Sequence, residues 1–186
     1  MPTRLHITII VALAVLVWAT TLVLLGIPFT WHHIAPFTAT VTCLTASCFV
    51  FDRWLWNWPV FSGWLVKQPK LHGSWKVRIV SSWVDPKSGL PLPPIECLMV
   101  IRQRYSSLNA RLFTRESSST LLTHEFCCGD DGIYELVGTY RNTPRVELRG
   151  KRSEIHHGSL LLQVKGDHAA RLDGHYWTDR GTTGLT

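Results

Sequence analysis

The distribution of charge divides this chain of 186 residues into two parts. Residues 1–51 contain one lysine or arginine, Arg4, and no aspartate or glutamate, whereas every acidic residue lies from Asp52 onward. So sharp a boundary is typical of a chain that passes between two solvents, because charged side chains are costly inside a bilayer. The pattern predicts a membrane segment over 1–51 and a water-exposed domain after it.

The first part contains two apolar runs, at 7–27 and 34–51, which are joined by a short loop at 28–33. At roughly 1.5 Å per residue, each run is long enough for a transmembrane helix. A cleaved signal peptide is the main alternative, but a turn follows the first run where a small-residue cleavage site would be expected. We therefore predict a two-helix transmembrane hairpin, with both termini in the cytoplasm because Arg4 and Arg53 flank only the chain-end sides.

The second run is rich in small and hydroxyl-bearing side chains, such as Thr38, Thr42 and Ala46. Such residues let helices approach closely and form hydrogen bonds in lipid. Packing against the first helix of the same chain and association between copies both remain open on this pattern.

A connector rich in aromatic residues and proline is predicted over 52–70, and apolar and polar residues alternate with period two from His72 onward. Turn signals at 85–89, 129–132 and 165–167 separate short runs of this kind. The predicted strands are 72–83, 95–104, 107–114, 119–127, 132–141, 144–150, 158–165 and 171–178. About eight short strands indicate an all-β domain over 71–186, a compact antiparallel eight-stranded β-barrel, with an open sandwich as the alternative.

The sequence offers no motif for catalysis or metal binding. The histidines His124, His156, His157, His168 and His175 do not follow a metal-ligand spacing, and five cysteines without regular spacing do not form a disulfide framework or a zinc site. A nucleophile elbow and paired carboxylates are also lacking. We predict that the chain is not an enzyme, has no catalytic residue, metal site or cofactor, and does not bind a DNA or RNA polymer.

Aromatic, hydroxyl and arginine side chains occur together in two segments, 140–145 and 174–180. Tyrosine stacks on nucleobases, arginine pairs with phosphate, and asparagine or threonine can bond a base edge. Ordinary polar residues at the end of a barrel would give the same composition, so composition leaves both explanations open.

The order of segments resembles the two-transmembrane, β-strand-rich effectors of bacterial cyclic-oligonucleotide anti-phage signalling, the CBASS systems. The likeness covers nearly the whole chain. The matching segments are the helical hairpin and then 73–77, 81–86, 103–105, 114–119, 140–144, 157–158 and 172–180.

This resemblance implies a receptor and effector in the bacterial inner membrane. Its barrel would bind a cyclic dinucleotide made by a partner nucleotidyltransferase, form a homo-oligomer, and disrupt the lipid bilayer in abortive infection. The expected ligand-binding residues are Tyr105, Thr114, Tyr140, Asn142, Arg145, Tyr176, Thr178 and Arg180. A membrane-tethered carrier for an apolar small molecule and a protein-binding adaptor are the alternatives.

Overall fold

The computed structural model describes residues 4–28, 30–85, 88–150, 153–165 and 171–186. Contacts divide the chain into two compact units. The first comprises Met1–Val66 with Arg104–Ser107, and the second comprises Lys67–Gln103 with Leu108–Thr186.

The first unit contains helix α1 (Arg4–Leu24), helix α2 (Trp31–Arg53) and two single-turn 3₁₀ helices, Leu55–Asn57 and Pro59–Phe61. Helix α1 ends just before Gly26, whose φ of 64° lies in the left-handed region that glycine adopts without strain. Of the tryptophans in the predicted connector, Trp56 is buried, whereas Trp54, Trp58 and Trp64 are exposed.

The prediction of a multi-pass inner-membrane protein is wrong. Neither helix, over its described residues, is both long enough and apolar enough to cross a membrane. Threonine hydroxyls in both helices bond to the backbone of the preceding turn. Thr21 Oγ1 donates to the carbonyl oxygen of Val17, and Thr45 Oγ1 donates to that of Val41, each at 2.8 Å.

The second unit is a closed antiparallel β-barrel, and the predicted all-β fold with eight strands is confirmed. The strands are joined in chain order around the barrel. They are β1 (Gly73–Ser81), β2 (Ile95–Gln103), β3 (Leu108–Phe113), β4 (Ser117–Cys128), β5 (Tyr134–Pro144), β6 (His156–Lys165), β7 (Arg171–Thr178) and β8 (Thr183–Leu185).

Period-two alternation sets the two faces of the wall. Along β1 the half-buried Trp75, Val77 and Ile79 alternate with the exposed Lys76 and Arg78. Successive side chains of a strand point to opposite faces, so the first set points into the barrel and the second points outward.

The hairpin loops agree with the turn signals where the structure describes them. The β4–β5 loop closes with a bond from Gly129 N to the Ile133 carbonyl oxygen, at 3.1 Å, and Gly132 has a φ of 76°. The Gly89 amide donates to the Asp85 carbonyl oxygen at 2.8 Å, although 86–87 within this turn lie outside the described residues. Most of the predicted turn at 165–167 also lies outside them.

Two strand assignments differ from the sequence-based prediction. The predicted strand at 144–150 is instead the 3₁₀ turn Val146–Leu148, because β5 ends at Pro144, whose nitrogen has no hydrogen to continue a ladder. The eighth strand is β8, which three residues make too short to show a periodic pattern. It closes the barrel by pairing with His175–Trp177 of β7 and with Val80 and Ser81 of β1.

Apolar side chains fill one end of the barrel. They form a single cluster of Leu71, Met99, Ile101, Leu108, Ala110, Leu136, Leu162 and Val164. Gln103, the buried polar residue beside this cluster, accepts a bond from Leu71 N at 2.7 Å and donates to the Pro69 carbonyl oxygen at 2.9 Å. Both ends of its amide are therefore satisfied, and this end of the barrel is closed by packing.

Candidate functional site

A pocket of about 1510 Å³ includes the other end of the barrel, where it is open to solvent, and also takes in outward-facing positions of β1 such as Lys76 and Arg78. Its inward-facing residues define a cavity inside the barrel, and concave sites of this kind are the usual ligand sites of proteins. Met99, Ala110 and Leu162 line it and also belong to the apolar cluster, so they form its floor. Its polar wall residues include Thr114, Ser119, Tyr140, Asn142, His156, Tyr176, Thr178 and Arg180.

Strand register brings these polar residues together. Asn142 of β5 lies opposite Ser119 on one side and His156 on the other. Tyr140, two residues before Asn142 in β5, lies opposite Gly158. Directly opposed residues of neighbouring strands point to the same face, so their side chains project into the cavity as one group.

Each cavity tyrosine lies over a glycine of the neighbouring strand. A Cβ added to Gly158 would lie 2.5 Å from Tyr140 Oη, and one added to Gly184 would lie 2.5 Å from a ring carbon of Tyr176. Any other residue at these two positions would collide with the ring. The glycines therefore make room for the tyrosines inside the barrel wall.

Arg180 is held at the cavity by the loop between β7 and β8. Thr178 Oγ1 accepts bonds from the amides of Arg180 and Thr182, each at 3.3 Å, which fixes the turn. The Arg180 guanidinium then donates to the Glu154 carbonyl oxygen at 2.7 Å and reaches Ser153 Oγ at 3.5 Å. Both acceptors are uncharged, so these contacts leave the positive charge of Arg180 without a counterion.

Arg115 and Arg180 are the basic residues at the mouth of the cavity, in the β3–β4 and β7–β8 turns, and Glu116 lies beside Arg115. Lys76 and Arg78 also border the pocket, but they point outward from β1. Hydrogen bonds from Lys165 and then Arg171, both 2.8 Å long, hold the pKa of Asp173 below its usual value. In the part of the chain that the structure describes, Arg115 and Arg180 have no ion-pair partner.

Comparison with known proteins identifies the family. A family model described as the cyclic dinucleotide receptor domain of Cap15 matches residues 66–186, which is more than half of the chain. The chain belongs to this Cap15 family. It is also 27% identical to CD-NTase-associated protein 15 of Staphylococcus schleiferi over 154 residues, which are 83% of this chain and 77% of the relative. The resemblance to CBASS effectors is thereby confirmed.

Six of the eight predicted ligand-binding residues of this Cap15-family chain line the one cavity: Thr114, Tyr140, Asn142, Tyr176, Thr178 and Arg180. Arg145 is exposed and is not part of the lining. Tyr105 belongs to the first unit, where its ring contacts Phe51 at a centroid distance of 5.2 Å. Ligand contact by any of them stays a prediction.

Sequence reasoning missed three polar residues of the Cap15-family cavity. Ser119 was not among the expected ligand-binding residues and His156 was considered only as a metal ligand, yet both line the cavity beside Asn142. Arg115 of the β3–β4 turn also lines it. Ser117, Ser119 and Leu121 share the inward face, but the run Ser-Ser-Ser-Thr-Leu at 117–121 has no polar and apolar alternation from which that face could be predicted.

No group of His, Cys, Asp and Glu in the described part of the chain is arranged to hold a metal ion. His168, one of the histidines considered from the sequence, lies outside the described residues. His156 is engaged instead by Asn142 and by the Glu154 carbonyl oxygen.

Burial in the Cap15-family cavity raises the pKa of the Tyr140 phenol, and the nearby Tyr176 and Asp179 raise it further. Tyr140 therefore keeps its proton, and with it a hydrogen-bond donor, throughout the neutral range. A group whose pKa is raised by folding stabilises the fold below its unfolded value of about 10, and this contribution is lost as the pH rises above that value.

We therefore expect the unfolding free energy of the parent to fall more steeply above pH 10 than that of Tyr140→Phe. The difference should be a fraction of about 1.4 kcal/mol per pH unit, because Tyr140 is partly exposed to solvent. Urea unfolding of both proteins at pH 8, 10 and 11 measures it. Equal slopes in the two proteins would show that Tyr140 is not shielded from solvent.

Proposed function

We propose that this chain is a receptor for a cyclic dinucleotide, which it binds in the barrel cavity, and that it acts as an effector in CBASS defence. The observation that supports the proposal is that two tyrosines, each packed over a glycine, line one cavity with two arginines, Arg115 and Arg180, that have no ion-pair partner among the described residues. A cyclic dinucleotide carries two flat bases and two anionic phosphodiesters, which are the groups that tyrosine and arginine recognise. A partner nucleotidyltransferase would supply this ligand.

In the proposed site each group has a distinct role. Arg180 and Arg115 meet the phosphates, since neither has an ion-pair partner among the described residues. Tyr140 and Tyr176 provide faces for the bases. The Thr114 hydroxyl, in contrast, already accepts the Ser117 amide at 2.9 Å, so it contributes to the turn that presents Arg115. Arg145 and Tyr105 are not included in the proposed site.

Recognition alone does not make an effector, so the proposal includes ligand-driven assembly of several copies. A ligand shifts an assembly equilibrium only by the difference between its affinities for the two states. We therefore propose that the bound form of the barrel associates more strongly than the free form.

Calorimetric titration of the full chain with cyclic di-AMP, cyclic di-GMP, cyclic di-UMP and cyclic GMP–AMP tests the proposal. At least one of them should bind with one ligand per barrel, and light scattering should then detect a larger particle. A matched linear dinucleotide is the control for non-specific attraction of anions. Failure of the whole panel to bind would contradict the proposed function.

Apolar wall residues favour a second candidate function, a carrier for an apolar molecule. Trp75, Val77, Leu112 and Leu160 line the cavity with the polar residues named above. Such a carrier would bind a fatty acid such as palmitate and would gain nothing from phosphate. Competition between palmitate and the cyclic dinucleotide panel therefore separates the two functions.

A further inference from the structure

Asn142 contains an acceptor that the described structure leaves unused. Its Oδ1 is buried and has no hydrogen-bond partner. Its Nδ2 lies 3.3 Å from Nε2 of His156, and the residue lines the cavity. Buried polar atoms are nearly always hydrogen-bonded, so an orphaned oxygen in a cavity wall needs a physical explanation.

The hydrogen bonds of His156 fix the orientation of this amide. Nδ1 of His156 lies 3.1 Å from the carbonyl oxygen of Glu154, which can only accept, so Nδ1 carries the hydrogen. In a neutral imidazole Nε2 is then an acceptor, and it faces the NH₂ of Asn142. Exchanging the amide oxygen and nitrogen would place two acceptors opposite each other, so the NH₂ stays on His156 and Oδ1 stays unpaired.

Arg180 strengthens this arrangement from the other side. Its Nη2 donates to the same Glu154 carbonyl oxygen at 2.7 Å. That oxygen therefore accepts hydrogen bonds from both Arg180 and His156. The tautomer of His156 thus depends on a carbonyl group that also binds Arg180, the residue proposed to contact phosphate. A continuous chain of hydrogen bonds runs from Arg180 through Glu154 and His156 to Asn142.

We propose that Asn142 Oδ1 is a specificity determinant that accepts a hydrogen bond from an N–H or O–H group of the ligand, with His156 as its positioning residue. This inference rests on the proposed cyclic-dinucleotide function. Phosphate diesters have no hydrogen to donate, so Asn142 reads a base edge or a ribose hydroxyl and not the backbone charge.

The amide can reach the ligand with little rearrangement. Oδ1 is closed to water in the present arrangement, but the terminal torsion of asparagine has a broad energy minimum. The bond from Nδ2 to His156 is also long, at 3.3 Å, so weakening it by a modest rotation toward the cavity costs little. Because the oxygen has already lost its water, a ligand donor gains a hydrogen bond there without displacing solvent.

Matched ligand pairs test this inference on the full chain by calorimetry. Each cyclic dinucleotide that binds is compared with analogues that lack one donor: purine riboside in place of adenosine, inosine in place of guanosine, N3-methyluridine in place of uridine, and ribose lacking its free hydroxyls. The parent should prefer the ligand over one such analogue by about tenfold or more, since a buried acceptor is left unpaired by the analogue. A loss of affinity with a base analogue identifies a donor on the base, and a loss with the sugar analogue identifies a ribose hydroxyl.

Asn142→Ala should lower that preference to roughly threefold or less, since the acceptor whose pairing sets it is gone. The matched control Asn109→Ala, at an exposed position of β3, should keep the preference. His156→Ala should lower it in part, and the double variant should lower it no further than Asn142→Ala alone, because the two residues act as one unit.

The outcomes are distinguishable. A parent that binds a ligand and all of its analogues equally well overturns the inference even if Asn142→Ala fails to fold, while the proposed function stands. If Asn142→Ala loses affinity equally for the ligand and its analogue, Asn142 has a structural role only. That result also overturns the inference. If no cyclic dinucleotide binds the parent, the proposed function itself fails.

Discussion

Replacing Arg180 with alanine should weaken cyclic-dinucleotide binding by tenfold or more. The guanidinium lies at the cavity with uncharged acceptors alone, so a phosphate can replace them with a charge-assisted contact. Hydrogen bonds to charged groups contribute about 1.5–3 kcal/mol, and 1.4 kcal/mol corresponds to about a tenfold change in affinity. Calorimetric titration of the full chain measures the effect.

Arg145→Ala is the matched control for this experiment, because Arg145 is an exposed arginine outside the cavity lining. Its removal should leave the affinity within about twofold, apart from a small long-range charge effect that salt screens. Arg180→Lys should recover part of the affinity, because lysine keeps the charge but lacks the planar fork of donors. Equal losses of ligand affinity in Arg180→Ala and Arg145→Ala would contradict binding in the cavity.

Leu136→Ala should lower the unfolding free energy by about 2–5 kcal/mol, with little change in ligand affinity of the protein that remains folded. Leu136 is 1% exposed and belongs to the packed apolar end of the barrel, not to the cavity lining. Truncating it leaves a void that the surrounding wall cannot close. Urea unfolding gives the stability, and titration below the unfolding transition gives the affinity.

Ile133→Ala is the control for stability. Ile133 follows the β4–β5 loop and is 45% exposed, so its truncation should change the unfolding free energy by at most about 0.5 kcal/mol. A large loss of ligand affinity in folded Leu136→Ala would contradict the division of the barrel into a packed end and a binding end.

Sequence alternation was sufficient to predict the barrel wall. Seven of its eight strands overlap a predicted strand, because long runs of period two leave little choice of conformation. The eighth, β8, has three residues, and its place depends on pairing with both β1 and β7. Closure of the barrel is a tertiary event, and no local pattern within 183–185 encodes it.

The site was less predictable than the wall, because composition does not reveal register. Arg145 and Arg180 occur in similar surroundings of Tyr, Thr and Arg, yet only Arg180 lines the cavity. The contribution of His156 depends on its position opposite Asn142, which becomes visible only when β5 and β6 are paired. Clusters of tyrosine, threonine and arginine in the sequence suggested a nucleotide site, but strand pairing determined which residues line the cavity.

The membrane prediction failed although the strand predictions held. It rested on the charge boundary at Asp52 and on the two apolar runs at 7–27 and 34–51. Neither helix, over its described residues, is both long enough and apolar enough to cross a membrane.

A crystal structure of the chain with its tightest-binding cyclic dinucleotide tests the central claim most directly. The account predicts one ligand inside the barrel, with a phosphate on the Arg180 guanidinium and bases against Tyr140 and Tyr176. It also predicts a ligand N–H or O–H group within hydrogen-bond distance of Asn142 Oδ1. A ligand on the outer surface of the barrel, with the cavity still empty, would contradict the account.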